Sequence, residues 1–219
     1  MPQHTVRYVT SLFIIVIITI ACFNMAFVMI DGLPVQGSIA SRMAFLSQHT
    51  LQWQLGWLTW MASAFGLLTF CSFLLPFIEP KHHRALGFSL VAIGIAPDIT
   101  AEAMYAFVLP EVQNPEMFAL LERIAILLTG VIGNTAYCLG GLLLNLLLLH
   151  NTALPRSIIY FGLPSWVIGL CIGIALLLGQ PQSAGLFTAV AMVWNVLWMF
   201  VFTLRVLHPK RYQQVACYA

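Results

Sequence analysis

The sequence predicts an all-α, polytopic integral membrane protein with six transmembrane helices, both termini on the inner side, in a single domain over 1–219. Three observations carry this. Of the 219 residues, 61% are hydrophobic and only 7% are charged, where a soluble domain carries about 25% charged residues. Six apolar segments, near 8–30, 54–78, 85–109, 119–149, 156–178 and 184–207, are long enough to cross a hydrocarbon core of about 30 Å at about 1.5 Å per residue. The basic residues are distributed asymmetrically: an inward N-terminus puts Arg7, Lys81, Arg84, Arg156, Arg205, Lys210 and Arg211 on the inner side and leaves Arg42 and Arg123 outside, as the positive-inside rule requires.

The same composition excludes several classes. A net charge of +2 with no basic cluster gives no electrostatic footprint for nucleic acid. The five cysteines, Cys22, Cys71, Cys138, Cys171 and Cys217, are scattered without a C-x-x-C pair, so they read as small packing residues and not as a disulfide or zinc framework. No metal site is expected, and no cofactor is indicated. Retinal attachment would need a lysine inside a span, yet Lys81 and Lys210 are in loops. Haem held between histidines needs them facing each other within helices, but every histidine is terminal or in a loop. Histidine boxes, aspartate-rich diphosphate loops and nucleotide-binding glycine loops are missing.

The first segment opens with Arg7. Together with Thr19-Ile20-Ala21-Cys22 it faintly resembles a lipoprotein signal. The apolar run continues to Ile30 and Thr19 stands where an aliphatic residue is usual, so a retained span is expected. The longest connection, 31–53, contains Ile39–His49, which reads as an amphipathic helix lying on the membrane surface through Met43, Phe45 and Leu46. The second segment opens with Trp53, Trp57 and Trp60 on one helical face. An interfacial aromatic belt suits the first two, and packing or ligand contact suits Trp60, about 10 Å deeper by helix rise.

The turn 79–84, Glu-Pro-Lys-His-His-Arg, is an inner-side connection. Basic residues beside headgroups explain it. His82 and His83, with His150 and His208 on the same side, would make a metal site only if three or four converged.

The third segment carries Ala96-Pro97-Asp98-Ile99-Thr100-Ala101-Glu102. Asp98 and Glu102 share a helical face, which Tyr105 continues. A carboxylate at such depth costs roughly 2.5–3.5 kcal/mol and marks a functional site or path. Pro97 should kink the helix. Two ionised carboxylates one turn apart repel, so one holds its proton or a cation pairs with them. Arg123, one turn into the fourth segment, is the expected cation. That segment continues with Gly130, Asn134, Tyr137 and Gly141 as a stripe of small and polar residues, suited to close helix approach or to lining a site. The fifth holds Pro164 and Gly169-x-x-x-Gly173, a close-packing surface, and the sixth holds Trp194, Asn195 and Trp198.

The pattern Arg42…His49…Trp53-x-x-x-Trp57-x-x-Trp60, followed by Pro97-Asp98-x-x-x-Glu102-x-x-Tyr105, resembles uncharacterised bacterial multi-helix membrane families over roughly the first two thirds of the chain. The resemblance implies a small protein of the bacterial inner (plasma) membrane and carries no chemistry.

These residues lead to two expectations. In the first, Asp98 and Glu102, with Trp57, Trp60, Tyr105, Arg123, Asn134, Tyr137, Trp194, Asn195 and Trp198, line an outward-opening polar site. It binds or transports a small amphipathic or lipid-like ligand, relays protons, or belongs to an accessory subunit of a membrane complex. The partners are then membrane lipids, a lipid-like small molecule and other membrane subunits. In the second, a protonated Asp98 starts an acid–base reaction on an isoprenoid or lipid, with Trp57, Trp60, Trp194 and Trp198 shielding a developing cation. An Asp/Glu–Arg network that merely holds helices together is the structural counterpart of both.

Overall fold

The computed structural model describes residues 3–79 and 81–209. Pro80, Lys210, Arg211 and Cys217 lie outside the described residues, and with them part of the inner-side charge count. Among the described residues every regular element is helical. Eight α-helices form: α1 (Gln3–Phe23), α2 (Ile39–Gln48), α3 (Thr50–Leu74), α4 (Lys81–Ala103), α5 (Pro115–Ile126), α6 (Asn134–Leu147), α7 (Arg156–Leu177) and α8 (Pro181–Phe202). A π-helical stretch extends α1 (Asn24–Val28), α4 (Met104–Val108) and α8 (Thr203–Leu207), and another, Leu127–Gly133, joins α5 to α6.

Six of the resulting helical units are long and apolar enough to cross a membrane: Gln3–Val28, Thr50–Phe77, Lys81–Glu111, Pro115–His150, Arg156–Leu177 and Pro181–Leu207. They match the six segments expected from the sequence. Their outward faces carry large apolar side chains, such as Phe13, Ile93 and Leu177, each more than 60% exposed.

Local chemistry fixes the boundaries. Asn114 caps α5, its side-chain oxygen accepting from the Glu116 and Met117 amides at 2.8 and 3.0 Å, and Pro115 fits the first helical position because its missing N–H has no partner there. Ser38 caps α2 in the same way. At the end of α7, Gly179 has φ +69°. The Gly179 and Gln180 amides donate back to Leu176 and Ala175, a Schellman turn that only a left-handed residue closes comfortably. Pro181 then starts α8. Lys81 already belongs to α4, so His82 and His83 occupy a first helical turn and not a loop. Pro97 lies inside α4, which runs on through it to Ala103.

The spans pack in sequence order as a closed ring: α1 on α3, α3 on α4, α4 on α6, α6 on α7, α7 on α8, and α8 back on α1. Short connections make sequence neighbours antiparallel. The ring encloses an apolar core that includes Ile14, Ile18, Phe70, Leu74, Val91, Ile95, Leu144, Trp166, Trp198 and Phe202. A second apolar cluster closes one end, here the cap end, where α2 lies over Met29, Trp53, Trp57, Tyr105, Leu109 and Phe118.

Two expectations are corrected at the cap. Met43, Phe45 and Leu46 pack into this cluster, so the apolar face of α2 is satisfied by protein. Trp53 is fully buried, with its indole N–H donated to the Tyr105 carbonyl at 2.7 Å. It is a packing residue and not part of an interfacial belt, because the face it shares with Trp57 turns toward α4.

Candidate functional site

Gly94, Asp98 and Glu102 are spaced i, i+4, i+8 and form one buried face of α4. Thr129, Gly133 and Tyr137 have the same spacing in the fourth span. The two strips meet at the seam between α4 and the π-helical stretch. Glycine on both sides brings the backbones together: a Cβ on Gly94 would lie 2.6 Å from the Gly133 carbonyl oxygen, and a Cβ on Gly133 would lie 3.2 Å from Asp98 Cβ. Gly87 and Gly140 repeat the arrangement seven residues away along each helix, where a Cβ on Gly140 would lie 2.6 Å from the Gly87 oxygen. Small residues at such contacts are the usual means of close approach between apolar helices.

At this closest approach the Thr129 hydroxyl donates a hydrogen bond to Asp98 Oδ1. Asp98 is 4% exposed and Glu102 is 0% exposed. Glu102 lies within electrostatic reach of Asp98, and neither of its carboxyl oxygens has a hydrogen-bond partner. Buried polar atoms without partners are rare and costly. Tyr137 and Cys138 of α6 also lie within electrostatic reach of Asp98. Four residues before Thr129 the fourth span offers only Ala125, which is buried and apolar, so the hydroxyl that serves Asp98 has no counterpart one turn farther along.

The expected cation is elsewhere. Arg123 is exposed. The buried ion pair joins Arg42 of α2 to Glu122 of α5, with Arg42 Nε and Nη2 donating to the two Glu122 oxygens at 2.9 and 2.6 Å. Arg42 also donates to the carbonyls of Gln36 and Gly37. Consecutive helical residues point about 100° apart, so turning Glu122 inward sends Arg123 out.

The remaining candidates divide between two regions. Trp57 stacks on Tyr105 at 4.4 Å and 6°, and Trp60 packs half-buried on the same cap cluster. The Tyr105 phenol lies within electrostatic reach of the Arg42–Glu122 pair. Trp198 lies in the ring core against Phe70, Trp166 and Phe202 and donates to the Ile158 carbonyl at 3.1 Å. Trp194 donates to the Phe161 carbonyl at 2.7 Å. Asn195 is buried with its amide oxygen unpartnered. The expected stripe in the fourth span also splits. Asn134 donates to the Gly169 carbonyl of α7 at 2.6 Å, and Gly130 and Gly141 abut Leu176 and Trp166 of α7, whereas Tyr137 faces α4. Asp98, Glu102 and Tyr137 therefore come together, but the tryptophans do not converge on them.

No protein-family model matches the chain, and no curated protein or solved structure shows significant similarity to it. The site is therefore read from its own geometry.

Reasoning from the sequence missed Thr129, the Gly94–Gly133 contact and the Arg42–Glu122 pair. Matching i, i+4, i+8 strips in the third and fourth segments were the available signal. The π-helical stretch that brings Thr129 to Asp98 has no reliable sequence signature, although such insertions are frequent at functional sites. His82 and His83 lie with their rings 4.1 Å apart and tilted by 53°, and no group of three or more His, Cys, Asp or Glu residues suited to a metal is found among the described residues.

Proposed function

We propose that this chain is an integral membrane protein of transport type, in which the Asp98–Glu102 pair binds and releases a small ligand between the third and fourth spans. The observation that carries the reading is Glu102, fully buried with both carboxyl oxygens unpartnered. A group held at that cost inside an apolar bundle is expected to exchange something.

The apolar outward faces of all six spans support immersion in lipid, since patches of that extent are a liability in water. Alternating span directions bring the starts of α1, α4 and α7 and the end of α8, with Arg7, Lys81, Arg84, Arg156 and Arg205, to the end opposite the cap. This favours that end as the inner one. The membrane is taken as a bacterial inner membrane on the sequence resemblance alone.

The geometry favours a small hydrophilic ligand over the amphipathic or lipid-like one expected from the sequence. A lipid-like body would need free aromatic faces beside the carboxylates, and Trp57 and Tyr105 already cover each other. The acid–base enzyme has less support for the same reason, because Trp194 and Trp198 make their contacts with α7. An accessory subunit would retain the apolar faces but gives Glu102 no task.

The test is infrared difference spectroscopy of the carboxyl bands of the purified full chain in nanodiscs, on changes of pH and of dissolved salt. The wild type should show a component that disappears in the double variant D98N/E102Q. Identical difference spectra for the two proteins would overturn the reading.

A further inference from the structure

We propose that Asp98, Glu102 and Thr129 form a binding site for a desolvated monovalent cation, with sodium as the ion of choice. This rests on the reading of Asp98 and Glu102 as a ligand-exchanging pair and names the ligand.

The argument begins with charge. Two carboxyl groups lie one turn apart in a buried seam, and neither basic side chain near the cap serves them: Arg42 is held by Glu122 and Arg123 is exposed. Charge balance therefore calls for something small enough to enter the seam. The next consideration is donor chemistry. The carboxyl and hydroxyl ligands available are hard oxygens: two from Glu102, the second oxygen of Asp98, and the Thr129 hydroxyl, which gives its proton to Asp98 and keeps its lone pairs. Hard oxygen sets suit alkali and alkaline-earth ions and not the softer transition metals.

Backbone geometry adds a third consideration. Leu127–Gly133 is π-helical beside Asp98, and π insertions of this kind are frequent at functional sites. Coordination number then decides between ions. Calcium takes about 6–8 oxygens, and magnesium keeps several waters. The Gly94–Gly133 contact brings the two backbones together beside Asp98, leaving little room for that many ligands. A single proton is the rival ligand, but it would use one oxygen of this set and leave the others as they stand.

The groups facing the pair are few. Thr129 comes from the π-helical stretch, and Tyr137 and Cys138 come from α6.

The experiment is a titration of the purified full chain in sodium-free nanodiscs with sodium chloride against choline chloride, at constant pH and ionic strength. Thermal unfolding and the carboxyl infrared bands are recorded together. Sodium should raise the unfolding midpoint saturably, as a ligand of the native state does, and should shift a carboxylate band. The response should vanish in E102Q, and T129V, nearly isosteric, should need at least about tenfold more sodium while T129S restores the wild-type titration. If E102Q does not fold, T129V against T129S decides. A sodium response unchanged in T129V and E102Q would overturn the proposal, as would no response in the wild type. If sodium has no effect but a change of pH alters a band that D98N/E102Q lacks, the sodium proposal fails and the exchanging pair stands with the proton as ligand. If neither changes such a band, both readings fail.

Discussion

Arg42 and Glu122 are 80 residues apart in sequence, yet they form a two-pronged ion pair at 2.9 and 2.6 Å whose side chains are only 7% and 9% exposed. The pair fastens the amphipathic helix α2 to the first turns of the fourth span and so closes the cap over Trp53, Trp57 and Tyr105. Planar guanidinium suits this role because its fork matches both carboxylate oxygens at once.

Breaking this pair from one side strands a buried charge. Arg42→Met or Glu122→Leu alone should cost about 3–5 kcal/mol, whereas the double substitution should recover most of that loss. Arg42→Lys keeps the charge but loses the fork and should fall between them. Unfolding of the wild type and these four variants in one detergent, with the Met and Leu substitutions analysed as a double-mutant cycle, checks this. Additive losses would show that the cap does not depend on the pairing.

At the α4–α6 seam, Gly94→Ala should be among the most damaging small substitutions in the chain. Its Cβ would meet the Gly133 oxygen and the Tyr137 nitrogen, both at 2.6 Å. Backbone atoms cannot swing away, so the helices must part, at a cost of about 1–3 kcal/mol or more. The separation should also weaken the Thr129–Asp98 hydrogen bond. Gly185→Ala, whose nearest neighbour would be Val35 at 3.7 Å, should be close to neutral in the same unfolding assay.

Two indoles one helical turn apart should respond differently to the same change. Trp53→Phe loses a hydrogen bond to the Tyr105 carbonyl and should be the costlier, by about 1 kcal/mol on that count. The Trp57 indole N–H is buried with no partner. Trp57→Phe therefore removes an unsatisfied donor and keeps a ring to stack on Tyr105, offsetting part of its packing loss. Comparison of the two midpoints decides, and equal losses would contradict it.

Asn134 offers a calibrated test of interhelical hydrogen bonding. Its amide donates to the Gly169 carbonyl, so Asn134→Ala should cost about 0.6–1.7 kcal/mol, the range for such bonds inside membrane bundles. The sodium response described above should survive in this variant, since Asn134 faces α7 and the carboxylates face the other way. Loss of that response would tie Asn134 to the site.

Sequence alone determined the helical class, the six helices long and apolar enough to cross a membrane, and the peculiarity of Asp98 and Glu102. Apolar length is a local property, and two carboxylates at one helical spacing share a face in any structure the segment adopts. The tertiary structure decided which residues those carboxylates meet. Thr129 reaches Asp98 because a π-helical stretch rotates it there and because Gly94 and Gly133 let two backbones touch. Arg42 takes Glu122 because α2 folds back over the cap, which leaves Arg123 outside. The tryptophans were assigned to separate clusters by the order in which the ring closes. Pairings of this kind depend on helix rotation and on contacts between distant segments, and no periodicity within a single segment encodes them.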